Sequence, residues 1–163
     1  MRFLMIPLLS LFGFSIAPAS VLTEKNQQQM SFYLDSRFDA GHDVYYNCQS
    51  VEMSVTLFLQ QLGAQNVYVR CSGGIDDLYP PPAWPAHLNL SFQSLKTAST
   101  SVANPISADW KEISINAFDD CFLLSQIFGK IQPGMDIKDV DGPNHCFEPD
   151  SAFHLKLKAL IAL

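Results

Sequence analysis

Residues 47–71, NCQSVEMSVTLFLQQLGAQNVYVRC, carry a cysteine near each end and change hydrophobic period half-way between them. Val51, Val55, Phe58 and Leu62, with Leu59 beside them, recur at spacings of four, three and four, one stripe of a 3.6-residue period. Asn47 is a good N-cap, Glu52 places a negative charge in the first turn, and Gly63 supplies the left-handed residue that ends many helices. Beyond Ala64 the period becomes two, with Val67, Val69 and Cys71 on one face and Tyr68 and Arg70 on the other. Roughly 14 helical residues span about 21 Å, and a return strand of roughly seven residues spans about 23 Å. The strand therefore ends beside the start of the helix, and a Cys48–Cys71 disulfide is expected.

Residues 120–146 repeat the plan. Cys121 begins a helix whose apolar side is Phe122, Leu123, Leu124, Ile127, Phe128 and Ile131, and Pro133-Gly134 stops it. A weaker strand over 135–140 leads to a turn and then Cys146, so the second pair is Cys121–Cys146. The separations, 23 and 25 residues, are nearly equal. Two further strands show plain alternation: Leu88, Leu90 and Phe92, then Phe153, Leu155, Leu157 and Ala159. Ile113 and Ile115 mark another near Trp110, and residues 42–46 read as a strand leading into the first helix. The expectation is an α+β two-layer sandwich of tandem β-α-β-β units, two helices lying on one face of a mostly antiparallel sheet.

The ends of the chain say where it works. Arg2, an apolar run from Phe3 to Ile16 and Ala17-Pro18-Ala19 form a signal peptide over residues 1–19 with an A-x-A cleavage site. The run is too short for a transmembrane anchor. Four cysteines in an exported chain read as two disulfides. The 163-residue chain has a formal net charge of -6, and cleavage after Ala19 removes Arg2 to leave nine basic against 16 acidic residues. That balance excludes nucleic acid, and membrane after cleavage, as main partners. Residues 20–41 are polar or ambiguous and read as a flexible leader or arm. Residues 42–163 read as a single disulfide-bonded domain.

Chemistry-bearing motifs are few. Residues 137–148, IKDVDGPNHCFE, place Asp139, Asp141 and Glu148 at positions three, five and twelve of a calcium loop around Gly142. Ile137 stands at the first position, however, and a tight Asp-Gly turn explains the same residues. Zinc or a cysteine–histidine pair at His145-Cys146 needs a free thiolate, which oxidising export removes. Asp119-Asp120 serves as paired acids or, more simply, as a helix cap. No cofactor is implied. The best binding lead is Tyr79 and Trp84 in the proline- and glycine-rich stretch 72–86, read as a loop, whose rings stack on a ligand or else fold back over the sheet. Asn89-Leu90-Ser91 is a glycosylation sequon.

The arrangement YNCQSVEMSVTLFLQQLGAQNVYVRCSGG, then DDCFLLSQIFGKIQP, then DVDGPNHC resembles a group of small exported gammaproteobacterial proteins of unassigned activity. Its leader and low-charge style are similar to Legionella-type exported proteins, including type II secretion substrates. The resemblance implies export and two disulfides and carries over no catalytic residue. The expected function is a secreted or periplasmic non-catalytic binding module for a protein or carbohydrate ligand, a released effector included. A small extracytoplasmic hydrolase with an acid pair is the alternative.

Overall fold

The stripe that begins at Val51 folds as helix α1, Cys48–Gln61, and buries Val51, Val55, Phe58 and Leu59. Asn47 caps it, its side chain accepting from the Ser50 N–H at 3.1 Å, and Gly63 follows with φ +82°. In this computed structural model residues 20–36, 44–76, 79–98, 104–117, 121–142, 146 and 152–163 are described, and of residues 76 and 79–84 the backbone alone. Strand β1 (Val21–Tyr33) precedes α1, and β2 (Gln65–Asp76) and β3 (Tyr79–Thr97) follow it. The second half repeats the order as β4 (Ile106–Ala117), α2 (Cys121–Ile131), a short 3-10 turn, β5 (Ile137–Asp141) and β6 (Phe153–Ala162).

Both disulfides form as the spacing predicts. Cys48–Cys71 has a Cα–Cα distance of 5.1 Å and Cys121–Cys146 one of 5.8 Å. Glu52, expected in the first turn of α1, lies beyond it: the helix begins at Cys48 and its first turn holds no acidic residue. Glu52 Oε1 accepts from the Cys71 N–H at 2.7 Å, so a hydrogen bond and a disulfide fasten the same end of β2 to α1.

The strands form one antiparallel sheet in the order β2-β3-β1-β4-β6-β5. Within it each half has the order of its counterpart, and the two meet back to back at β1 and β4. That contact is short: Val21–Thr23 pairs with Ile106–Ala108. The sheet is therefore two three-stranded blocks overlapping at a corner. The middle strands, β3 and β6, are paired on both sides and hold the buried runs Leu88, Leu90, Phe92 and Phe153, Leu155, Leu157, Ala159.

Of residues 20–41, expected to be a flexible leader or arm, Val21–Tyr33 is a 13-residue strand, and residues 37–41 lie outside those described. β1 pairs with β3 along its length but with β4 only at its start. An edge strand buries little and is kept polar, which erased the apolar alternation that would have announced it. Its helix-facing amides are satisfied by one acceptor: the Gly134 carbonyl takes hydrogen bonds from Asn26 Nδ2 at 3.1 Å and Gln28 Nε2 at 3.2 Å. Val44–Tyr46, expected to be a strand, is a connection without one; residues 42 and 43 lie outside the described residues.

Both helices cover one face and share one core. Phe58 of α1 meets Phe153 of β6 edge to face, ring centroids 5.7 Å apart at 82°. α1 thus packs its own half against the other. At the corner a smaller cluster, Leu95, Ala108 and Leu160, closes the opposite face. No helix among the described residues is long and apolar enough to cross a membrane.

Tyr46 pins the connection before α1 to the second half. Its hydroxyl donates to the Asp35 carbonyl at 3.0 Å and accepts from Gln126 Nε2 of α2 at 2.9 Å. Burial pushes its pKa up to about 12 against the Gln126 hydrogen bond, and Asp35 adds to the rise. The unfolded chain loses this proton near the ordinary tyrosine value, so stability from Tyr46 is fully present below pH ~10 and is lost as pH climbs toward ~12. Denaturation monitored between pH 8 and 12 should show that decline, and Tyr46→Phe should flatten it while costing about 1–2 kcal/mol at neutral pH.

Candidate functional site

The stretch 72–86 is not an irregular loop. β2 runs on to Asp76 and β3 begins at Tyr79, a hairpin whose register pairs Ser72 with His87, Gly74 with Trp84 and Asp76 with Tyr79. Shifts between those pairs are β-bulges, and Gly73 and Gly74 take φ +82° and +74° to make them. Proline is tolerated in β3 here because β1 stops pairing at His87, leaving one edge on which no N–H is needed. A Cβ on Gly74 would run into the Tyr46 carbonyl, the same oxygen that accepts from the Ile75 N–H at 2.8 Å. The backbones of Tyr79 and Trp84 lie in this hairpin; their side chains lie outside those described.

The hairpin leads into the sheet face away from the helices. Cross-strand partners share a face, so the register puts Tyr68, Arg70 and Ser72 of β2 beside His87, Asn89, Ser91 and Gln93 of β3, and these beside Tyr33, Ser31, Gln29 and Gln27 of β1. From Thr23 to Tyr33, His87 to Thr97 and Tyr68 to Ser72, no aspartate or glutamate faces outward, although the chain carries a net charge of -6. Arg70 and Lys25 are the cations. The remainder is amides, hydroxyls, aromatic rings and Leu95.

Where hairpin meets sheet, Tyr33, Ser72, Gly73, Pro85 and His87 line an open depression of about 640 Å³. Tyr33 is 68% exposed, and its ring lies 4.6 Å from the His87 imidazole, tilted by 52°. Ser31 Oγ donates to Asn89 Oδ1 at 2.7 Å and lies 3.0 Å from His87 Nε2. Asn89 Nδ2 lies 3.3 Å from His87 Nδ1. Because the one hydroxyl proton of Ser31 goes to Asn89, His87 is assigned N–H at Nε2 and an acceptor at Nδ1. Each of the three groups then gives one hydrogen bond and takes one.

This closed ring holds the imidazole as a fixed platform. A serine nucleophile requires the opposite sense, with its proton passing to a histidine that a carboxylate supports. Within Tyr68–Ser72, His87–Thr97 and Thr23–Tyr33 no carboxylate stands beside His87 on the outward face. The exposed Tyr68, 58% accessible, extends the aromatic border along β2.

Of the candidate calcium residues, Asp139 is held by another partner. Asp139 sits on β5 at φ +52° and pairs with Lys158 Nζ at 2.7 Å, which holds its carboxyl below the usual range and raises the lysine. Asp141 pairs in register with Lys156 of β6. Glu148 lies outside the described residues, as do His145, Asp119 and Asp120. Among the described residues no group of three or more histidine, cysteine, aspartate or glutamate side chains is arranged to hold a metal.

Tyr33 and His87 were not singled out from sequence. One signal was present: His-Leu-x-Leu occurs at 87–90 and again at 154–157. The chain matches no known family model, and no curated protein or solved structure is similar to it. Its own geometry therefore carries the functional reading. The two disulfides point to an oxidising compartment outside the cytoplasm.

Proposed function

We propose that the chain is a non-catalytic binding module of the periplasm or the secreted fraction. Its contact surface is the outer face of β2-β3-β1 with the adjoining hairpin, and its ligand is a carbohydrate. The observation that carries this reading is the depression at Tyr33 and His87, beside outward side chains of Thr23–Tyr33, His87–Thr97 and Tyr68–Ser72 that include no acid. Sugar hydroxyls both donate and accept; with the ring closed, Asn89 keeps one N–H and one lone pair for them and Ser31 one lone pair, while the imidazole, both nitrogens engaged, offers its face. An exposed ring beside them offers the flat apolar surface on which a sugar stacks.

A titration against a panel of immobilised chitin, cellulose, mannan and polygalacturonate tests the reading. Binding to at least one polymer is expected, weakened about tenfold or more by Tyr33→Ala or His87→Ala, roughly 1.4 kcal/mol of affinity. Tyr79→Ala with Trp84→Ala should weaken it as well. Binding that survives Tyr33→Ala and His87→Ala unchanged would sink the proposal, as would no binding to any polymer alongside capture of extended peptides.

A further inference from the structure

The two halves repeat more than their elements. In the first, the register pairs Tyr33 with His87 and Ser31 with Asn89. In the second it pairs Asn116 with His154 and Ser114 with Lys156. Both histidines begin a His-Leu-x-Leu segment, in the middle of β3 and at the start of β6, and both face away from the helices. Each lies near a glycine of positive φ in or just after the neighbouring strand: Gly73 at +82° inside β2 and Gly142 at +94° directly after β5. A Cβ on Gly142 would run into the His154 carbonyl, so the floor there is kept bare. Ser114, Asn116, Asp141, Gly142, His154 and Lys156 line a second depression, of about 100 Å³. His154 Nδ1 is fixed against Asn116 Oδ1 at 2.6 Å, as His87 is fixed by Ser31 and Asn89.

We infer that the second half carries a counterpart binding site centred on His154, so that the module is divalent and its ligand is a polysaccharide that repeats along its length. This rests on the carbohydrate reading of the His87 site. The sites occupy one continuous sheet face but opposite ends of it, since β1 and β4 run antiparallel from their short overlap and Tyr33 and Asn116 lie at the far ends. A monosaccharide cannot use both. A chain of repeating units can, and linking two modest contacts multiplies affinity without any new one. The second site is smaller and lacks an aromatic ring. Lys156, paired with Glu112 at 3.0 Å, stands where the first has Asn89, so it is the weaker of the two.

The test uses the exported, disulfide-bonded chain, titrated by calorimetry with the free tetrasaccharides of the panel polymers and separately with the polymers. Two tetrasaccharides per chain are expected. His154→Ala should leave one and weaken polymer binding at least about tenfold; His87→Ala should remove the tighter of the two. Asn116→Ala, which keeps the imidazole but frees it, should act in the same direction as His154→Ala if His154 binds ligand. Far-UV circular dichroism of each variant separates lost binding from lost fold. One tetrasaccharide per chain, abolished by His87→Ala and untouched by His154→Ala and Asn116→Ala, overturns the second site and leaves the proposed function standing. No saccharide bound at all overturns both.

Discussion

Replacing Phe58 with alanine should lower the unfolding free energy by about 3–5 kcal/mol, the range for deleting a fully buried aromatic side chain. Phe58 is 2% exposed and lies edge to face on Phe153. The first belongs to the helix of one half and the second to the last strand of the other. If the halves were separately stable repeats, the substitution would loosen the first and leave the second melting where it did. A shared core predicts one cooperative transition, moved down by about 10 °C or more. Urea and thermal unfolding followed by far-UV circular dichroism and by tryptophan fluorescence should coincide, since Trp110 of the second half must report a lesion in α1. Two separated transitions would show that the halves are independent.

What was legible in the chain follows the same division between buried and exposed. α1, α2, β3 and β6 were read because each buries a full apolar face, and burial writes periodicity into sequence. β1 was missed for the opposite reason. Its outward side chains face solvent, and those toward the helices, such as Asn26 and Gln28, end on the Gly134 carbonyl rather than in the core. The hairpin over 72–86 was misread because its prolines, which forbid a central strand, are allowed on a strand that has lost one neighbour. The site suffered from both effects at once. Tyr33 ends an edge strand, and His87 faces outward from a strand whose periodicity is carried by its inward residues. A repeated His-Leu-x-Leu was visible, but only the register shows that both histidines face the same way beside a bare glycine.

Breaking the disulfides should cost the fold even more than a core cavity. Each closes a loop, 23 residues apart for Cys48–Cys71 and 25 for Cys121–Cys146, and a loop of that length contributes about 3 kcal/mol in the chain-entropy account. Small domains are commonly stable by about 5–15 kcal/mol in all. The quadruple alanine variant should therefore be largely unfolded or close to it, while each double variant should fold with a urea midpoint clearly below the parent. Alanine is preferred to serine because Cys121 is 2% exposed and a hydroxyl there would be buried. The two losses should differ in their local consequence. Without Cys48–Cys71, β2 remains tied to α1 through the Glu52 hydrogen bond to the Cys71 N–H, so Cys48→Ala/Cys71→Ala should protect those amides from hydrogen exchange longer when Glu52 is kept than when Glu52→Ala is added. Equal exchange in the two backgrounds would mean that the carboxylate contributes nothing once the crosslink is gone, and that the covalent bond alone sets the helix against its strand.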